Sequence, residues 1–169
     1  MAVTNAKNYM SSLQDDREIY IDGERIKDVT KDYRFIGAAE TMAELLQMQH
    51  DAEFTDTLTY LSPLSGDKVG MSHIQPKSIE DVRSRGDAMK VWMDATCGML
   101  GRSPDYKNVM VAAWSAAAEV FNRPSFDGSD NIKIFYEHVR ENDMTMTLSL
   151  IHISEPTRPR LISYAVFCL

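Results

Sequence analysis

One chain of 169 residues and 19.2 kDa, 44% hydrophobic and 25% charged, falls in the range of a single globular domain and outside that of disordered or collagen-like chains. Eighteen basic against 25 acidic side chains give a net charge of −7 and a pI near 5.0, which argues against the clustered positive surface that nucleic acid or an anionic membrane requires. No apolar run reaches the ~18 residues of a membrane span, and the start MAVTNAKNYMSSLQDDRE is too polar for a signal peptide, so the expected location is the cytoplasm.

In chain order, Thr4 is placed to cap a short helix through Gln14, with Tyr9, Met10 and Leu13 as its apolar contacts. EIYIDGERI follows. Asp22-Gly23 between β-prone runs predicts a hairpin over Ile19–Ile26, because both turn positions need positive φ. Phe35, Ala38, Ala39, Met42, Leu45, Leu46 and Gln49 share one helical face, predicting a buried-face helix from Phe35 to His50. From Ala52 to Pro76 the breakers Ser62-Pro63, Ser65-Gly66 and Gly70 predict an ordered loop lying over the helices.

Ser78-Ile79-Glu80-Asp81 supplies an N-cap hydroxyl and first-turn acids for a long helix. Val82, Met89, Trp92, Met93, Thr96 and Met99 or Leu100 continue it on one face, with Gly86 tolerated inside and Gly98 and Gly101 marking its end. Further helices are expected from Pro104 to about Phe121 and from about Asp130 to Asn142. The methionines Met42, Met48, Met89, Met93, Met99 and Met110 read as flexible core filling. His50 and His73 read as hydrogen-bonding groups at loops or helix ends, His138 as solvent-facing, and Cys97 as a small buried hydrophobe inside a helix.

GMLGRSPDYKN concentrates polar groups at a helix start. Ser103 suits the N-cap and Pro104 the first helical position, with Asp105 and Tyr106 completing the turn. Arg102 adds a permanent cation to the free N–H groups there, a combination suited to an oxyanion or phenolate, and Tyr106 adds a hydroxyl. The alternative is plain: Arg102 pairs with Asp105 on the surface while Tyr106 packs.

The stretch 148–169, LSLIHISEPTRPRLISYAVFCL, breaks this helical texture. LSLIHISEPTR and ISYAVFCL resemble, in order, the conceptual translation of a sequencing-library adaptor and of the flow-cell primer after it, with Pro159, Arg160 and Leu161 where a variable index would be read. The alternative is a C-terminal β-hairpin around a Pro-rich turn. Setting 148–169 aside as a non-native tail removes Glu155, Arg158 and Arg160, taking the net charge from −7 to −8. Cys97, His50, His73 and His138 are then the remaining Cys and His, too few and too scattered for a metal site.

SLQDDREIYIDGERIKDVT, QMQHD, SPLSGD, PKSIEDVRSRGDAMKVW and MLGRSPDY together resemble the 4-hydroxyphenylacetate 3-monooxygenase oxygenase family, over nearly all of residues 9–147. The resemblance implies a mainly α N-terminal helical domain of an acyl-CoA dehydrogenase-like fold with one small β-hairpin, truncated after residue 147. It also implies reduced FAD from a separate flavin reductase, O2, a phenolic substrate hydroxylated ortho to its hydroxyl, and a homotetramer when full length. Arg102 and Tyr106 match the family's GR-x-PDY residues that bind substrate and act in catalysis. A third family residue, a His, follows the segment that ends here in VRENDMTMT, and His138 lies too early to replace it. The truncated chain is expected to be inactive alone, with most flavin contacts elsewhere.

Other readings stay open on sequence alone. A sister branch, 4-hydroxybutyryl-CoA dehydratase, places a Cys-x-x-x-Cys cluster motif at the same junction; Cys97 matches its first cysteine, but Gly101 stands at the second. A related pyoverdine-chromophore oxygenase branch would keep the same residue roles, and a non-catalytic helical module would use the Arg102 junction to capture an anionic partner.

Overall fold

The computed structural model describes residues 3–98 and 105–146, with the side chain of Asp105 left out. Arg102, Ser103, Pro104, Gly101, Met99, Leu100 and the 148–169 tail therefore lie outside the described residues.

The chain begins with helix α1 (Ala6–Ser12), whose N-cap is Asn5 rather than Thr4: the Asn5 side chain accepts the Asn8 N–H at 2.9 Å. Thr4 is otherwise engaged, because its own N–H donates to Asp143 Oδ2 at 2.9 Å. Strands β1 (Ile19–Ile21) and β2 (Glu24–Ile26) pair antiparallel around Asp22 at φ 50° and Gly23 at φ 80°, the two left-handed positions that the Asp-Gly pair predicts. Arg34 ties this hairpin to the next helix. Its guanidinium bridges Glu24 at 3.0 Å and forks onto Asp32 at 2.9 and 2.8 Å, which holds the Asp32 carboxyl down to about 2.

Helix α2 (Ile36–Met48) buries Ala39, Ala43, Leu45 and Leu46, and the adjoining Gln49 is also buried. The stretch read as a loop contains more structure than breakers alone suggest. A turn of helix α3 (Thr55–Leu58) runs straight into β3 (Thr59–Leu61), which pairs antiparallel with β4 (Lys68–Gly70) in the register Thr59↔Gly70. A buried 3-10 turn, Met71–His73, follows.

Helix α4 (Ile79–Ala95) starts with a reciprocal capping box: Ser78 Oγ accepts the Asp81 N–H, and Asp81 Oδ2 accepts the Ser78 N–H. Its inward face is Ala88 and Trp92, the latter as expected, while Val82 and Met93 are exposed and so do not belong to that face. Cys97 is also corrected. It lies past the helix end at φ 51°, and it is exposed. The Gly98 N–H reaches back to Met93 O at 2.8 Å and closes the end, as a glycine at φ 78° allows.

Helix α5 (Asp105–Ala116) stops five residues short of Phe121, and Ala118–Phe121 form a separate 3-10 turn. Helix α6 (Gly128–Glu141) begins where Asp127 accepts the Ser129 and Asp130 N–H groups. One core joins Leu45, Leu58, Met71, Ala88 and Trp92, with Met42 and Met48 filling beside it. The other joins Val111, Ala112 and Tyr136, with Trp114 and Met146 against it. The Met71–His73 turn packs on both α4 and α5 and so links the two. Among the described residues no helix is long and apolar enough to cross a membrane.

Candidate functional site

Tyr106 occupies the first turn of α5 and is 38% exposed. Lys107 Nζ lies 4.9 Å from the Tyr106 ring centroid, adding a cation at this turn. Arg102, the other half of the expected pair, lies outside the described residues. Two positions after Tyr106, Asn108 is buried, and its Nδ2 donates to Ser72 Oγ at 2.7 Å. Farther along α5, the Ala112 carbonyl accepts Gln75 Nε2 at 3.2 Å. The start of α5 is therefore held by side chains from the turn behind it.

A second segment converges on the same helix. Helix α6 ends in a left-handed Asp143, φ 45°, with the Met144 N–H donating back to Val139 O at 3.1 Å. This reversal lets the outgoing chain lie along α5, where Met146 packs against the Val111, Ala112 and Tyr136 cluster. Asp143 Oδ2 accepts from Gln49 Nε2 and from the Thr4 N–H, both at 2.9 Å. Its Oδ1 stands 3.7 Å from His73 Nε2.

Between these groups a cavity of about 10 Å³ is bordered by Gln49, Ser72, Asn108 and Asp143, room for a single water centre. His73 does lie at a turn, but it is fully buried, and neither ring nitrogen has a hydrogen-bond partner among the described residues. His50, by contrast, meets Val3 O through Nε2 at 3.2 Å, and His138 is exposed as expected.

Glu141 forms a third anchor. Its carboxylate accepts Ser62 Oγ at 2.5 Å, Ser65 Oγ at 2.6 Å and Arg140 Nε at 2.7 Å. Burial opposes its ionisation, but those donors outweigh burial and hold the carboxyl below its ordinary value. Arg140 itself is buried, its guanidinium 4.9 Å over the Tyr136 ring. Burial, and Tyr136 beside it, raise the Tyr60 hydroxyl above the ordinary tyrosine range.

Sequence reasoning missed His73, Asp143 and Glu141. One signal was available: Gln49 is the polar member of an otherwise apolar helical face, and such a residue needs a buried partner.

The described residues offer no flavin cradle. The interior cavity is water-sized, and a recess of about 690 Å³ is an open groove beside Phe121, Arg123, Phe126 and Phe135 with one basic side chain for a diphosphate. By themselves these residues do not fit a flavin.

The chain matches, over residues 5–157, the family described as 4-hydroxyphenylacetate 3-hydroxylase N terminal. It is 37% identical over 153 residues to the 4-hydroxyphenylacetate 3-monooxygenase oxygenase component of Geobacillus sp., covering 90% of this chain and 31% of the relative. The Thermus thermophilus oxygenase component is also 37% identical, covering 89% and 30%. The chain thus spans about a third of the length of these relatives. Among solved structures, an oxygenase component complexed with FAD and 4-hydroxyphenylacetate superposes with a TM-score of 0.76 at 36% identity, covering 84% of this chain and 29% of the other. A 4-hydroxybutyryl-CoA dehydratase from N. maritimus superposes with a TM-score of 0.69 at 16% identity, covering 85% and 28%, a likeness of fold alone.

Proposed function

The chain belongs to the 4-hydroxyphenylacetate 3-hydroxylase family, as its N-terminal helical domain on an acyl-CoA dehydrogenase-like fold, and from that premise we propose that it forms the phenol-gripping portion of a flavin-dependent monooxygenase. The substrate is a phenol. Position 3 of a 4-hydroxyphenyl ring adjoins its hydroxyl, so the hydroxylation is ortho. The cofactor is FAD, reduced by a separate reductase, and O2 is the oxygen source. The flavin contacts are assigned to parts of the family protein that this chain does not span, so the 169 residues alone are inactive. Assembly as a homotetramer and a cytoplasmic location belong to the same proposal. Residues 1–147 are assigned to the family domain and 148–169 to a non-native tail, although the family match runs to residue 157.

Arg102 and Tyr106 carry the chemistry assigned to this chain. A phenol ring becomes a better nucleophile at its ortho carbon as its oxygen approaches phenolate, and a fixed cation with an adjacent hydroxyl donor favours that state. Arg102 would supply the charge, and Tyr106 the directed hydrogen bond. The observation that supports this reading is the half-exposed Tyr106 in the first turn of α5, with the chain leaving α6 brought back along the same helix by Met146.

The test is made in a gene restored to family length. Losing a charge-assisted donor costs about 1.5–3 kcal/mol, so Arg102→Ala lowers hydroxylation roughly tenfold or more and raises the pH at which bound phenol ionises. Tyr106→Phe leaves stability unchanged while product per reduced flavin falls and hydrogen peroxide rises. Parent-like turnover and coupling in both variants would show that this junction is a helix start with a surface arginine.

A further inference from the structure

Behind the candidate site, the Met71–His73 turn touches both segments that converge there. Ser72 Oγ accepts from Asn108 on α5 at 2.7 Å, two residues from Tyr106. The His73 carbonyl accepts the Tyr136 hydroxyl of α6 at 2.7 Å, and its ring faces Asp143, where α6 ends. Asp143 Oδ2 is already taken by Thr4 and Gln49, which leaves Oδ1 toward the imidazole.

The His73 side chain is 1% exposed and both of its ring nitrogens lack a partner among the described residues, an arrangement that native proteins rarely leave unresolved. The 3.7 Å gap from Nε2 to Asp143 Oδ1 exceeds a hydrogen bond, but a movement under ~1 Å closes it. A carboxylate only accepts, so the proton must sit on Nε2. A second proton, on Nδ1, would be a buried donor with no acceptor among the described residues.

Space around the turn is equally constrained. A Cβ on Gly70, one residue before it, would lie 2.9 Å from Gln49 Oε1, 3.4 Å from Asp143 Oδ1 and 3.5 Å from the His73 ring. The polar groups are therefore packed as one unit.

We propose that the Met71–His73 turn is the positioning strut of the site: His73, protonated on Nε2, holds Asp143 and the chain leaving α6, while Ser72 holds α5 and Tyr106. None of these residues touches substrate in this proposal. Their role is spacing, and displacing reacting groups by about 1 Å can cost on the order of a hundredfold in rate. The functional meaning rests on the phenol-site reading, but the strut can be tested without any substrate.

The experiment uses the 169-residue chain with 15N-labelled histidine rings, dissolved or sedimented, and His73 is identified by the resonance lost in His73→Gln. The expected parent pattern is a protonated Nε2 and a bare Nδ1. Asp143→Asn keeps the shape and lets its oxygen go on accepting from Thr4 and Gln49, but turns an N–H toward His73. The His73 Nε2 proton then either loses its acceptor or moves to Nδ1, and the ring nitrogen pattern changes in both cases. A bare Nε2 in the parent, or an unchanged pattern in Asp143→Asn, overturns the proposal.

Ser72→Ala supplies the second measurement. Amide exchange at Ala112 in α5 should rise at least about tenfold relative to Ala39 and Ala43 in α2, which report on the rest of the domain. Equal changes at all three would mean ordinary loss of stability and would also overturn the strut. Failure of phenol binding in the restored enzyme, with these results as expected, would count against the Tyr106 reading alone.

Discussion

The two hairpins have the same antiparallel three-residue strands, yet their order comes from different places. β1–β2 reverses over Asp22 and Gly23, and Tyr20 in its first strand is 56% exposed. β3–β4 is joined by six residues, and Val69 in its second strand is fully buried. Its loop is fastened through Ser62 and Ser65 to Glu141, 79 and 76 residues away. The first hairpin is specified by backbone conformation within the turn. The second adds to bonds inside its own loop, such as Gly66 N–H to Ser62 O, a fastening to α6 that the first lacks.

That contrast can be broken most severely at Leu58, which is fully buried where α3 passes into β3. Leu58→Ala should cost about 2–5 kcal/mol in urea unfolding with an unchanged m-value, while Tyr20→Ala on the first hairpin should fall within about 0.5 kcal/mol of the parent. Equal losses would mean that both hairpins depend alike on the core.

Glu141→Gln should cost less, about 1.5–3 kcal/mol, because the charge that three donors share is removed while the side-chain shape remains. Amide exchange should speed up at Gly66, whose N–H bonds Ser62 O within the loop, and stay unchanged at Glu24 in the first hairpin. The pH dependence has a definite sign. Glu141 is held below its ordinary value in the folded chain, so its contribution is complete above that value and is lost as pH falls through the lower folded one. Acid should release the second loop before the first turn, and Glu141→Gln should flatten that part of the pH profile.

Gly23→Ala makes the smallest change. A side chain at φ 80° costs about 1–2 kcal/mol, but nothing stands within 4 Å of the added Cβ, so the loss is conformational and confined to the hairpin. Exchange should rise across Ile19–Ile26 with the unfolding midpoint little moved. A large drop in the midpoint would show that the first hairpin also supports the core.

The same division decides which features are legible in the sequence. Asp22-Gly23 and Ser78-Ile79-Glu80-Asp81 are local signals, and both act as read. The second hairpin has no two-residue turn signature, and its stabilising partner, Glu141, lies in another helix. The helical pattern runs on toward Gly101 and so places Cys97 inside the helix, whereas Thr96 already closes the helix and turns Cys97 outward. At the candidate site, Tyr106 is legible from its place in a helix-start motif. Asp143 and His73 are not, since an aspartate after a helix and a histidine in a turn look like surface residues until distant chain segments bury them.

The bond from Thr4 to Asp143 spans 139 residues, almost the whole described domain. Such a contact cannot help to start folding, because closing so long a loop is opposed by chain entropy until the intervening helices have already shortened it. We expect it to form late, after the main barrier, so that replacing Asp143 would speed unfolding more than it slows folding. A late contact contributes little to the rate of folding and acts mostly on the way out, so this single N–H to carboxylate bond serves as a brake on unfolding, placed where the first and last described segments of the domain meet.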